Sequence, residues 1–466
     1  MDSLPDDVLL AIFKDIVRRS STRDSSRTWR PLVRVCRRWR SLVFGSPAHL
    51  GLLLVCTTKT PARDALDIWP SIPLVVVYES YPKGSVDNTI AGLERTDRVR
   101  EVYLFGVASS DSEMILAAMQ RPFPELRLLW VDLSHKMGTV LFVPDSVLGG
   151  SAPHLESLRL ISVIFPGLTK LLLSATHLVE LELINIPHSG YFPPDTMVTT
   201  LSILTSLSRL TLTFKSPRSC PDRESRRFSP STRPVFSALS RIRFGGVSEY
   251  LEDLVACIDA PQLSVLYITF FNDIVFDTSQ LIKFIGRTPL PRELEKAHLI
   301  FWDLGAEVDF SQTPGYEFGG FRVEISCRGS DWQVSNLEQV CTSCLLPSSK
   351  LEDLYIHEAP YPTRQLGWKD NIENGLWLEL LRPFTAVKNL YLSDKFATHI
   401  AAALQELVGD RTTDVLPALR DIYLRETESS GPAQEGIGRL VAARQVASRP
   451  ITVSRWTNWQ EEMGYY

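Results

Sequence analysis

Leu155-Glu156-Ser157-Leu158-Arg159-Leu160 is followed 23 residues later by Leu178-Val179-Glu180-Leu181-Glu182-Leu183, and the recurrence of this hexapeptide decides how the chain folds. Apolar residues stand at positions 1, 4 and 6. Alternation at 4 and 6 is the period of a strand with one buried face. Working outward, the same unit begins at Val99 and Leu126 on one side. On the other it begins at Leu207, Leu239, Leu263, Leu294, Phe318, Leu351, Val387 and Leu419, which makes twelve units spaced 23 to 36 residues apart. The segments between them, such as Glu113 to Met119, Tyr250 to Ile258, Leu337 to Leu346 and Ile437 to Val446, carry the helical period instead. Strand and helix in alternation predict an α/β fold of parallel strands joined by right-handed crossovers. Stacked at the roughly 4.8 Å spacing of paired strands, the units would make an irregular solenoid over 99–466, strands inside and helices outside.

Composition agrees with a globular chain. Of 466 residues, 44% are hydrophobic and 22% charged, enough apolar surface for a core. No apolar run approaches the roughly 20 residues of a membrane-spanning helix, so no membrane partner is expected. The opening Met1-Asp2-Ser3-Leu4-Pro5-Asp6-Asp7 is acidic where a leader would be basic, which predicts a cytoplasmic or nuclear location. Seven scattered cysteines suggest reduced thiols rather than a disulfide framework.

The first 50 residues differ from the rest. They carry ten Lys or Arg against five Asp, while the whole chain stands at −5. Pro5, Asp6 and Asp7 suit a first helical turn, and Val8, Leu9, Ile12, Phe13 and Ile16 follow at helical spacing. After a polar stretch from Arg18 to Thr28, Pro31 opens a second helix with Leu32, Val35, Cys36, Trp39, Leu42 and Val43 on one stripe. A piece this short cannot bury both stripes against itself, which implies a partner.

These residues carry a resemblance. Leu4-Pro5-Asp6-Asp7-Val8-Leu9-Leu10-Ala11-Ile12-Phe13 and Val35-Cys36-Arg37-Arg38-Trp39 resemble the opening and closing motifs of the F-box. The resemblance implies that residues 1–50 dock on the SKP adaptor of cullin-RING ubiquitin ligases. The docking positions would be Leu4, Pro5, Val8, Leu9, Ile12, Phe13, Leu32, Val35, Cys36 and Trp39. The array behind is similar to leucine-rich repeats, at the upper edge of their period. The Asn or Cys usual after the last strand leucine is replaced, as by Val107, Val163 and Ile186. Together the two halves look like the large fungal F-box-like families. Residues 51–98, with strand-like Leu52 to Cys56 and Leu74 to Tyr78, would link the F-box to the array and cap it, and Ser216 to Pro234, rich in Ser, Pro and Arg, would form a surface insertion.

Catalytic signatures are missing. There is no G-x-S-x-G elbow, phosphate loop or H-E-x-x-H, and Cys341 and Cys344 form one C-x-x-C with no second pair. No cofactor, metal or enzymatic activity is expected. Nine arginines between Arg18 and Arg40 could neutralise phosphates, but no aromatic interleaving or recognition helix accompanies them, so a nucleic-acid partner is not expected either.

Binding has better support. The residue between positions 4 and 6 of each unit should face away from the helices. In order these are Tyr103, Trp130, Arg159, Glu182, Thr211, Arg243, Tyr267, His298, Arg322, Tyr355, Tyr391 and Tyr423. Five of the twelve are tyrosines, although tyrosine makes up only 13 of 466 residues. Tyr103, Trp130, Tyr267, Tyr355, Tyr391 and Tyr423 are therefore the candidate target-binding residues. The expected function is a substrate receptor of an SCF-type ubiquitin ligase, acting through the SKP adaptor and a cullin on an unidentified protein target. The alternative is a repeat scaffold outside ubiquitination.

Overall fold

The computed structural model describes residues 4–18, 29–59, 63, 66–67, 72–80, 85–107, 109–132, 141–219, 233–271, 278–290, 295–310, 320–327, 330–344, 351–359, 372–407, 413–425 and 432–456. The chain divides into two compact units, Met1–Phe192 with Thr199–Arg209, and Pro193–Val198 with Leu210–Tyr466.

The first unit opens with helices α1 (Asp6–Arg18), α2 (Leu32–Val35), α3 (Arg37–Gly45) and α4 (Pro47–Leu50). The helix expected from Pro31 onward is split at Cys36, whose backbone is extended and whose sulfur accepts from the Trp39 amide, capping α3. Gly51, at φ +63°, ends α4 in a conformation that favours glycine.

Strands β1 (Leu54–Thr57), β2 (Leu74–Glu79), β3 (Val99–Phe105) and β4 (Leu128–Asp132) follow, with α5 (Val86–Leu93) and α6 (Ser109–Ala118) between them. A small pair, β5 (Leu141–Phe142) and β7 (Val163–Ile164), flanks β6 (Ser157–Ile161), and α7 (Leu168–Ser174) leads into β8 (Glu180–Ile186). The sheet order is β1-β2-β3-β4-β6-β8, all parallel. Leu129, Leu158 and Leu181 are register partners, as are Val131, Leu160 and Leu183, so each hexapeptide adds its leucines to the same two buried rows. Each such side chain is worth about 1.5–3 kcal/mol of burial.

The array starts earlier than its hexapeptide pattern. The strand-like segments of residues 51–98 are β1 and β2, paired in the sheet. Val55, Val75 and Val77 are buried on one face and Leu54, Cys56, Leu74 and Val76 on the other, so the alternation that marks later units is missing there.

Helix α8 (Pro194–Leu201) and strand β9 (Arg209–Phe214) carry the chain into the second unit. There β10 (Arg241–Gly246), α9 (Ser248–Ala256), β11 (Val265–Phe270), α10 (Ser279–Gly286), β12 (Lys296–Trp302), β13 (Gly305–Phe310), β14 (Gly320–Ile325) and α11 (Ser330–Cys344) follow. The unit closes with β15 (Asp353–Glu358), α12 (Asn374–Leu381), β16 (Asn389–Leu392), α13 (Asp394–Gln405), β17 (Asp421–Leu424), α14 (Pro432–Val446) and β18 (Thr452–Arg455). Buried Glu252 on α9 accepts from the Gln280 and Leu281 amides, both at 2.9 Å, and so satisfies the first turn of α10. Residues 220–232 of the expected insertion lie outside the described residues.

The uniform parallel array fails at one place. Sheet order in the second unit runs β11-β14-β13-β12-β15, and β13 is antiparallel to both neighbours. The units beginning at Leu294 and Phe318 are therefore not adjacent, because an unexpected strand, Gly305-Ala306-Glu307-Val308-Asp309-Phe310, separates them. Glu307 and Asp309 on this strand are buried, and Arg322 of β14 reaches both, at 3.2 and 2.5 Å. Burial works against the Arg322 charge, but the two carboxylates outweigh it and push its pKa up.

Arg322→Met would leave two buried carboxylates without a cation and should cost about 3–5 kcal/mol. Urea unfolding at pH 7 should show that loss. Combining Arg322→Met with Glu307→Gln and Asp309→Asn should restore most of it; a triple variant no more stable than the single would refute the triad's role.

Candidate functional site

Helix α1 carries two apolar stripes. Leu9, Phe13 and Val17 are buried, with the Phe13 ring 4.7 Å from that of Trp39. Leu4, Val8, Ile12 and Ile16, four residues apart, run along the other stripe and are 39 to 43% exposed. Val35, between α2 and α3, is 57% exposed, and Cys36 beside it is exposed as well.

Arg38 fixes the geometry. Its guanidinium donates to Asp6 at 2.6 and 3.0 Å and to the Leu4 carbonyl at 2.5 Å, tying the start of α3 to the start of α1. Trp29 fixes this helical piece to the repeats: it is fully buried, edge-on to Phe44, and its indole N–H donates to the Leu53 carbonyl at 3.0 Å.

The expected docking set thus divides. Leu4, Pro5, Val8, Ile12, Val35 and Cys36 are exposed and Trp39 is half-buried, whereas Leu9, Phe13 and Leu32 are in the core. These last three hold the helices together and are not available to a partner. Ile16 joins the exposed stripe on spacing alone. Trp29 was not foreseen, because it follows directly on the Ser- and Arg-rich stretch that reads as a connection.

On the sheet face away from the helices, the tyrosines and tryptophan divide too. In the first unit Tyr103 and Trp130 are half-buried register partners with ring centroids 6.0 Å apart. Arg159 lies 4.2 Å over the Trp130 ring and pairs with Glu182 at 2.7 Å.

In the second unit Tyr267 lies under Arg322, 5.1 Å away, and does not join the other three tyrosines. Those three form one stack: His298, Tyr355, Tyr391 and Tyr423 follow at centroid spacings of 4.4, 4.2 and 4.5 Å, nearly parallel. Trp456 packs across it, 5.6 Å from Tyr355 and 5.5 Å from Tyr391. Tyr355 is buried as a result, which corrects its reading as a target-binding residue; Tyr391 and Tyr423 remain half-buried. Trp456 thus covers the closing strands.

No group of three His, Cys, Asp or Glu converges as metal ligands among the described residues, and none of their helices is long and apolar enough to cross a membrane. Burial pushes the Cys56 thiol up to about 11, which makes it a poor nucleophile.

Residues 1–47 match the F-box-like family. This N-terminal segment is F-box-like. The match covers α1–α3, and the strand-helix units behind it have the alternation of a leucine-rich-repeat fold. Among solved structures the chain is similar to the leucine-rich repeat-containing protein LegL7 from Legionella pneumophila, with 12% identity over 84% of this chain and 97% of that one, at a TM-score of 0.27. It is also similar to the chain in the TLR13-ssRNA13 complex, with 13% identity over 86% of this chain and 48% of that one, at a TM-score of 0.31. No curated protein matches the chain.

His298 in the stack and His357, edge-on to it, make the second unit sensitive to acid. Burial lowers the pKa of His298 well below 6.5, helped by His357, Lys296 and Arg322, and burial lowers that of His357 as well. Both stay neutral when folded and take up protons only after unfolding, so stability is full above about pH 6.5 and falls as pH drops below it. Unfolding midpoints between pH 7.5 and 5 should decline, and His298→Phe should flatten the slope; an unchanged slope would show that His298 is not responsible.

Proposed function

We propose that this chain is the substrate-recognition subunit of an SCF-type E3 ubiquitin ligase. The F-box docks on a SKP-family adaptor and through it a cullin, while the repeats hold a target protein. The observation that carries this reading is the second stripe of α1. A helix that packs by one face normally turns a polar face to water. Here the outward stripe is Leu4, Val8, Ile12 and Ile16, an aliphatic surface whose exposure a partner's apolar groove would remove. The buried Trp29 anchor favours the reading further, since a fixed F-box gives a held target a defined place relative to the adaptor.

In this role the chain contributes position, not catalytic groups. Holding a target beside the conjugating enzyme raises its effective concentration, and the ligation chemistry belongs to other subunits.

Val8→Asp with Ile12→Asp should abolish co-purification with the SKP adaptor, a loss of at least about 100-fold in affinity, because two carboxylates would be buried without partners. Both positions face solvent, so the thermal unfolding midpoint should stay within about a degree or two of wild type. Full adaptor binding by that double variant would overturn the assignment. Trp39→Ala should weaken binding by about 2 kcal/mol or more, and its contact with Phe13 predicts a loss of stability beside it.

A further inference from the structure

We infer that a pocket at the start of the first unit's strands binds the carboxylate of an acidic residue, Asp or Glu, on the target protein. The inference rests on the receptor reading for the identity of the partner, though not for the chemistry of the pocket.

The pocket, of about 350 Å³, lies where β3, β4 and β6 begin, beside the link from the helical piece to β1. That volume is at the low end of the roughly 300–1,000 Å³ of ligand sites, and it suits one side chain with its immediate neighbours. Register partners Glu101 and Leu128 line it, together with Leu53, Arg100, Arg127 and Glu156.

A bulge brings Arg100 there. Leu74 of β2 pairs with Val99 and the next residue, Val75, pairs with Glu101, so Arg100 is an extra residue with no counterpart on β2. Bulges take a side chain out of the strand's alternation and re-aim it. The side chain re-aimed here is a half-buried cation on the pocket wall.

Other arginines along this edge are matched from one repeat to the next. Arg127 donates to Glu156 at 3.0 Å, and Arg209 donates to Glu180 at 2.9 Å. Glu101, next to Arg100 in the chain, accepts the Tyr103 hydroxyl at 2.9 Å. Arg100 has no carboxylate partner among the described residues. A half-buried guanidinium has given up part of its hydration, and a bidentate carboxylate returns two charge-assisted hydrogen bonds.

The walls also limit the charge of the ligand. Two arginines face two glutamates, so the pocket accommodates one added negative charge, whereas the second charge of a phosphate ester meets Glu101 and Glu156. Leu53 and Leu128, both half-buried, offer aliphatic contact to the residue beside the acid. An acidic residue with an apolar neighbour fits these walls.

The test uses the full-length protein and fluorescently labelled, C-terminally amidated hexapeptides, Gly-Leu-Glu-Leu-Gly-Ser and its glutamine and phosphoserine counterparts, titrated by anisotropy at low salt. The glutamate peptide should bind about tenfold more tightly than the glutamine peptide, and the phosphoserine peptide no more tightly than the glutamate one. Arg100→Gln, whose folding circular dichroism checks, should erase the preference for glutamate. Amide hydrogen exchange of the wild-type chain supplies a readout that needs no variant: the glutamate peptide should slow exchange in segments 51–54 and 156–158. Equal binding of the glutamate and glutamine peptides, a preference that Arg100→Gln retains, or slowing only elsewhere would overturn the inference. Tighter binding of the phosphoserine peptide would overturn the single-charge assignment, and competition by free glutamate as strong as that by unlabelled peptide would overturn the assignment to a protein's side chain. Arg100→Gln should still co-purify with the adaptor. Loss of adaptor binding by the wild-type chain would refute the receptor reading while leaving the peptide result standing, so the two failures are distinguishable.

Discussion

A strand has two faces, and the hexapeptide of this chain can bury only one of them. Its leucines at positions 4 and 6 fall into two rows that pass from strand to strand in register, covered by the helices that follow. Those rows are the framework on which everything else rests. They fix the parallel pairing, and they fix which residue of each unit faces away from the helices. What that residue is then becomes free of the folding requirement, and this is where the two units diverge.

The F-box applies the same constraint with a different period. Leu9, Phe13 and Val17 on α1 are committed to the fold by Trp39, and the adjacent stripe is free of it. Free positions on a surface helix are ordinarily polar, because solvent charges for exposed aliphatic area. Retaining Leu4, Val8, Ile12 and Ile16 there is a departure from what the isolated chain requires. The departure runs along one stripe of α1 and the residue that leads into it, and Arg38 ties the first turn to α3, so these aliphatic residues are aligned and held in place rather than scattered.

Most of this was legible because it depends on period. Hexapeptide spacing marks the parallel strands, and the two F-box motifs mark the helical piece, since both express which residues must be buried. The failures occur where burial was achieved by another route. Strand β13 was missed because Glu307 and Asp309 read as surface residues. The cation that lets them be buried, Arg322, stands on a neighbouring strand 13 residues beyond Asp309, and no local pattern announces it. Strands β1 and β2 are legible as apolar runs but fall outside the hexapeptide pattern, because they are buried on both faces and so do not alternate. In the F-box, spacing placed Leu9, Phe13 and Val8 on apolar stripes but could not say which stripe the fold would keep for itself.

The tyrosines show most clearly why a face can be predicted while its use cannot. Tyr103 and Tyr355 occupy the same position in their units, and alternation correctly turns both away from the helices. Tyr355 is then buried by the stack that includes His298 and Tyr391 and by Trp456, roughly a hundred residues further along the chain. Tyr103 meets Phe105 and Trp130 and is half-buried. In the second unit the face is filled by the chain's own aromatic and ionic groups, which adds packing and removes access. In the first, Tyr103, Phe105 and Trp130 pack on one another and stay half-buried, so the same position in the unit carries a looser aromatic cluster there.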